Sequence, residues 1–340
     1  MDDLVDLARG LVGRARPGEQ VEVVLGRSTS TTVKVYGGDV ESLTSAGSSG
    51  AGVRVIRDGR QGFAHCGSHD PDVLTETLDE ARDNCAFGEP DEFNGLAEPD
   101  GVDAVPQDSW SEAVVALAND RKVELALDLE RRALGIDPRV TGARTTAYGD
   151  GWGEQAVVST TGIESYARGA SCSVSTQPMA REGGETQIGW GHDTSRDPAA
   201  LDLDRVAAEA VDRATRLLGA TKPASARMTI LLEPRLAATL LSVVSGMLCA
   251  DSVLKGRSPF ADRVGEQVAS PLVSLVDDPT RSESIGAEER DGEGLACRPN
   301  ALITGGVLQG FLQDSYTGRR SGTASTGSAV RGTRSQAVAF

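Results

Sequence analysis

The chain has 340 residues and a formal net charge of −16, from 34 Lys and Arg against 50 Asp and Glu, with a pI near 4.7. That length can bury a large core in about two or three domains, and the acidic balance repels phosphate backbones and argues against nucleic acid as a direct partner. No stretch reaches the length of a membrane span, and the opening MDDLVDLARGL lacks the basic and apolar regions of a secretory signal.

Residues 1–90 are expected to form a small α/β domain. Leu4, Leu7, Ala8, Leu11 and Val12 mark one face of a helix. Strands are predicted at Gln20–Leu25, Thr31–Tyr36 and Val40–Thr44, with Gly37-Gly38 as a tight turn. Gly52–Ile56 and Gln61–His65 make a further hairpin around Arg57-Asp58-Gly59-Arg60, and Asp70-Pro71 supplies the cap and first position of a second helix. An acidic stretch with Pro99 and Pro106 reads as a linker over residues 91–109. A middle domain, 110–222, is predicted to open with a helix over Trp110–Leu134. An antiparallel meander follows between Thr141 and His192, and an amphipathic helix over Leu203–Leu218 closes the domain.

The last segment, 223–340, begins with a predicted apolar strand, Met228–Leu232, and then Glu233-Pro234. From Arg235 to about Ala250 the chain is apolar on nearly every face, and a helix of that kind belongs in an interior. Short strands are expected at Val273–Val276, Ala301–Ile303 and Val307–Leu312. The fold class is therefore α+β: the small N-terminal domain, then a mixed, mostly antiparallel β domain with a buried core helix. Five scattered cysteines (Cys66, Cys85, Cys172, Cys249, Cys297), never in C-x-x-C spacing, point to reduced thiols in a cytoplasm.

Few clusters carry recognisable chemistry. His65, Cys66 and His69, followed by Asp70, are the one grouping of metal-ligand residue types; a strand end running into a helix cap is the simpler account, since a metal site needs three or four convergent ligands. Ser252-Val253-Leu254-Lys255 matches the S-x-x-K of serine acyl-enzymes without the other elements of that chemistry. Gly47–Gly52 is glycine-rich but feeds a strand, unlike a phosphate loop. Asp277-Asp278 and the run Glu288–Asp291 lack calcium-loop spacing. Arg319, Arg320, Arg331 and Arg334 make the tail locally basic, and in so acidic a chain internal charge pairing is the expected use.

The run LLSVVSGMLCADSVLKGRSPFADRVGEQVASPLVSLVDDP, with GVLQGFLQDSYTGRRSGTASTGSAVRG downstream, resembles the core of the TldD/PmbA family of peptidase-related proteins. In the zinc-bearing half of that family the core helix carries H-E-x-x-x-H. This chain has Ser242, Val243 and Met247 at those positions. Serine is a poor zinc ligand, valine moves no proton, and a thioether suits softer metals. The resemblance is thus to the PmbA/TldE-like branch, with vestigial positions 242, 243 and 247, no catalytic residue and no metal of its own. It implies a cytoplasmic heterodimer in which an HExxxH-bearing TldD-like subunit supplies zinc and the pair acts on small or unfolded peptides. The final residues QAVAF do not resemble the family's continuation, so the last segment reads as C-terminally shortened. A metal-free binding or scaffold protein, possibly homodimeric, is the alternative.

Overall fold

A computed structural model describes residues 2–334. Its centre is one long antiparallel sheet. β1 (Gln20–Tyr36), β2 (Asp39–Arg57) and β3 (Arg60–Cys66) follow the first helix, α1 (Asp2–Val12), and precede α2 (Pro71–Phe87). After a coil come α3 (Glu112–Val115), α4 (Asn119–Ile136), β4 (Val140–Ser159), β5 (Glu164–Glu182), β6 (Glu185–Ile188), β7 (Gly191–Ser195) and α5 (Leu203–Thr215). The strand order is β3-β2-β1-β4-β5-β6, and β7 also pairs with β5. The sheet therefore runs unbroken from the first segment into the middle one, because β1 pairs with β4 from Glu22↔Ser159 to Val35↔Thr146.

The strands expected at 20–25 and 31–36 are a single one. Gly26–Ser30 is too polar to read as strand, yet β2 and β4 bond it on both edges. Both tight turns match expectation: Gly37 and Gly38, and Asp58 and Gly59, have φ between 51° and 86°, the left-handed values that two-residue hairpins need. The helix expected over 110–134 is broken at residues 116–118 into α3 and α4.

Period-2 patterning sends α1, α2, α4 and α5 to one face. Val21, Val23 and Leu25 of β1 pack under α1 and α2 with Ala51, Val53, Val55, Leu74 and Leu78. Farther along the same strand, Val33 and Val35 pack under α4 and α5 with Leu129, Tyr148, Val174 and Val206. One continuous sheet thus carries two cores side by side.

Parts of the rest of the chain meet the opposite face. α6 (Pro234–Met247), α7 (Ala250–Leu254), β8 (Leu275–Asp277), β9 (Asn300–Thr304), β10 (Val307–Leu308) and α8 (Ser315–Ser321) form a smaller unit around Leu248, Leu302, Ile303, Leu308 and Leu312. Val24 and Val157 of the sheet meet Ile163, Leu295 and Ala97 there. The chain then crosses the sheet where side chains are missing: a Cβ on Gly52 would sit 2.6 Å from the Thr333 carbonyl oxygen, and Gly26 and Gly50 face the same residue. The glycine-rich run at 47–52 is strand interior, not a strand entry, and Gly50 and Gly52 give the backbone of this C-terminal strap its close approach.

Two expectations for the last segment are corrected. Residues 228–232 are coil, with Leu231 92% exposed, because no neighbouring strand offers them a ladder among the described residues. The helix expected to be a buried core element forms as α6, but none of its residues is buried. Its apolar residues outnumber the partners available. Val244 packs against the small core around Leu248, while Leu236, Leu240, Leu241 and Val243 face outward. Polar contacts tie its start down instead: Glu233 accepts from Arg213 at 2.6 Å, and the Arg235 guanidinium stacks 3.8 Å over Trp190.

Candidate functional site

Ser242, Val243 and Met247 lie on the last two turns of α6. The Ser242 hydroxyl donates to the Thr239 carbonyl at 2.7 Å, Val243 is 58% exposed, and the Met247 carbonyl accepts from Ser258 Oγ at 2.6 Å. Five residues of regular α-helix turn through about 500°, leaving positions 242 and 247 roughly 140° apart around the axis. Val243 and Met247, four residues apart, share one face of α6, and Ser242 lies on another. A hydroxyl, an isopropyl group and a thioether do not fit zinc.

His65, Cys66 and His69 are not brought together either. His65 stacks on Phe63, Cys66 Sγ donates to the Ser68 carbonyl at 3.4 Å, and His69 Nε2 lies 3.0 Å from the Gly50 carbonyl oxygen. Asp70 caps α2 through the amides of Asp72 and Val73. Among the described residues no group of three or more His, Cys, Asp or Glu is placed to hold a metal ion. In the S-x-x-K run, Lys255 pairs with Asp251 at 2.9 Å and Ser252 donates to the Gly246 carbonyl, so neither activates the other. Asp278 turns its own loop through Thr280, and Asp277 accepts from Ser328 Oγ at 2.9 Å.

The charges that do converge were expected only as internal pairing of the tail. On the face opposite the helices, Glu22 of β1 is flanked by two guanidiniums: Arg54 of β2 at 3.0 Å and Arg331 of the strap at 2.9 Å, all three buried. Burial holds Arg331 below the usual arginine range, opposed by Glu22. Beside them Glu293 accepts from both the amide and the hydroxyl of Ser315, at 2.9 and 2.7 Å, at the start of α8. Burial pushes its carboxyl up to about 7, against the Ser315 bonds and Arg54. Asp291 is likewise raised by burial, to about 6, although it accepts amides from Glu293, Leu295 and Ala329. α8 closes the arrangement. Arg319 spans the carbonyls of Phe93, Gly95 and Leu96, and Tyr316 donates to Asp91, so the coil expected as a linker is bound along its length. In the sequence this cluster is signalled by the even spacing of Glu22 and Arg54 against the apolar odd positions and by the basic tail that holds Arg331; Glu293 carries no local signal.

A second buried ion pair sits under the helices. Lys122 of α4 meets Asp150 of β4 at 2.7 Å, and Tyr148 donates to the same carboxylate at 3.0 Å. Each of these groups already has its partner, which makes them packing polar groups in an otherwise apolar layer.

A continuous antiparallel sheet, helix-covered on one face and crossed by a charge-clasped strap on the other, makes this an α+β protein. Family models agree along nearly the whole chain. Residues 21–85 match the PmbA/TldA metallopeptidase domain 1, residues 115–218 its central domain and residues 225–339 its C-terminal domain. The chain belongs to the PmbA/TldD family. It is 24% identical over 311 residues to a protein named Metalloprotease PmbA from Escherichia coli O157:H7, covering 91% of this chain and 69% of that one. To a TldD homolog from Haemophilus influenzae it is 27% identical over 295 residues, covering 83% and 60%. Its fold matches the crystal structure of TldE from Thermococcus kodakarensis with a TM-score of 0.82 at 22% identity, covering all of this chain and 75% of that one.

Proposed function

We propose that this chain is a non-catalytic, PmbA/TldE-like subunit of a cytoplasmic zinc metallopeptidase that acts on small or unfolded peptides. The observation that carries this reading is α6, which is kept as a helix while its three key positions hold Ser242, Val243 and Met247. An HExxxH-bearing TldD-like subunit then supplies the metal, and this chain supplies structure around the peptide. No helix among the described residues is long and apolar enough to cross a membrane.

Co-expression with an HExxxH homologue from the same genome tests the assignment. The two chains should co-purify, and zinc-dependent cleavage of an unstructured peptide should require both. A chain that never associates with such a homologue, and changes no cleavage when mixed with it, would instead be the metal-free scaffold. Ser242→His, Val243→Glu and Met247→His introduced together should give no turnover by this chain alone, because two imidazoles leave a zinc site one protein ligand short of the usual three plus water. Zinc-dependent turnover by that variant in isolation would defeat the reading.

A further inference from the structure

β2 has a ladder on both sides over only part of its length. β1 pairs with it from Asp39 to Ile56, but β3 covers its outer side only from Ala51 to Arg57. The hairpin turn fixes which residues face outward. Arg57 and Arg60 close a two-residue turn over Asp58-Gly59, and such a closing pair exchanges backbone hydrogen bonds. Alternation along the strand then turns the odd residues of β2 outward and the even ones toward β1, because the register does not shift between Ser42 and Ile56. Ala51 meets Cys66 of β3 in this way. Leu43, Ser45, Gly47 and Ser49 aim their N–H and C=O groups the same way, with no strand opposite them among the described residues. Sheet edges are ordinarily kept from pairing by charge, proline or a bulge. From Ser42 to Val53 this edge has no charged residue and no proline, in a chain that is 25% charged. The open stretch has two ends. At one the ladder with β1 shifts at Glu41, and at the other Ser49 Oγ donates to the Gly67 carbonyl at 3.4 Å, where the chain has left β3.

We propose that this edge holds an extended peptide as an added strand that continues the row of β3. The open groups themselves define the occupant. Residues 43, 45, 47 and 49 present alternating donors and acceptors over about 20 Å, at the repeat of an extended backbone. The side chains along the stretch are small or hydroxylated except for Leu43, so the edge grips backbone and tolerates varied sequences. A second copy of the chain fits less well. Pairing all four outward residues of one β2 with those of another sets Leu43 opposite Ser49. Glu41 then falls opposite Ala51, whose outer side Cys66 already occupies. A free peptide ends without that conflict. The proposal gives the peptide of the proposed function a place on this chain and rests on that reading for its natural occupant, but the binding itself needs neither zinc nor a partner subunit.

Amide-resolved hydrogen exchange of the full chain tests this, with and without a large excess of an unstructured peptide of about ten residues, alternating threonine and valine with a lysine at each end. The amides of Leu43, Ser45, Gly47 and Ser49 should gain about tenfold protection, while those of Thr44, Ala46 and Ser48, already turned to β1, stay as they were. Ser45→Pro removes one outward N–H without breaking a bond to β1 and should weaken peptide binding about tenfold. No change at the odd amides, or equal affinity in S45P, overturns the proposal. Protection of those amides that rises with protein concentration alone assigns the edge to a second copy and overturns it too. Should S45P fail to fold, the same peptide N-methylated through its centre decides on the unaltered chain: lost binding supports the added strand and equal affinity refutes it. Co-purification and cleavage with the HExxxH homologue are separate readouts, so the peptidase reading and the peptide edge can fail independently.

Discussion

The two faces of the sheet hold their contents by different means. On the helical face, alternate apolar residues meet amphipathic helices and the two cores are closed, with Val23, Val33, Leu78, Leu129 and Tyr148 fully buried. On the opposite face the smaller unit buries few large apolar side chains and leaves Leu231, Leu236, Leu240 and Val243 outward. It is attached by ion pairs, carbonyl clamps and a strap fitted into a glycine notch. Apolar contacts inside a closed layer are non-directional and tolerate modest repacking. A buried ionic clasp depends on every partner being present. Damage to the first face should therefore unfold the chain, whereas damage to the second should detach a part of it.

The largest effect expected is from Val23→Asp. Val23 is fully buried between β2 and β4 beneath α1 and α2. An unpaired carboxylate there costs several kcal/mol, comparable with a total stability of about 5–15 kcal/mol. The variant should lose its cooperative thermal transition. A folded variant with an unchanged melting temperature would mean that the two cores are not the foundation of the fold.

Arg331→Met should come next, at about 3–5 kcal/mol for removing one partner of a buried pair. Arg54 still faces Glu22, so the sheet should persist while the strap and α8 become protease-sensitive. Cleavage after Arg320 or Arg334 at a rate matching the unaltered chain would show that the clasp contributes little. Replacing Glu22 with Gln in the same chain should deepen the loss, because the buried Arg54 guanidinium then loses its one carboxylate partner.

How far the sequence was legible divides along the same line. Period-2 alternation in β1, β4 and β5, the left-handed residues at Gly37-Gly38 and Asp58-Gly59, and the Asp70-Pro71 cap all lie within a few residues of what they determine. Internal pairing of Arg331 was legible from the basic tail, but its partner was not, because Glu22 lies more than three hundred residues away and neither position is apolar enough to announce burial. The length of β1 was missed for a related reason: Gly26–Ser30 is held by ladders on both sides, and cross-strand bonding leaves no mark on composition. At the family's metal positions the residue types were legible from the sequence, but that α6 leaves them on an unburied helix needed the backbone.

α6 is where sequence and structure separate most, and a matched pair of variants sharpens the comparison at its small end. An all-round apolar helix read as core would make Leu241→Asp unfold the protein. In the fold Leu241 is 43% exposed, and an aspartate there can keep its carboxylate in water. What remains is a weaker helix propensity and part of one apolar contact, together about 1 kcal/mol or less. Seven residues on, Leu248 is fully buried beside Cys249, Ile303 and Leu312, where Leu248→Ala should cost about 2–5 kcal/mol. Measured by chemical denaturation, the smaller change at 248 should therefore outweigh the more drastic one at 241. A reversal of that order in the isolated chain would mean that the outer face of α6 is covered in solution and that Leu241 is buried there after all. The same pair measured with an HExxxH-bearing homologue present would show whether association reaches this face. Leu241→Asp should then weaken the complex while leaving the stability of the free chain nearly as it was.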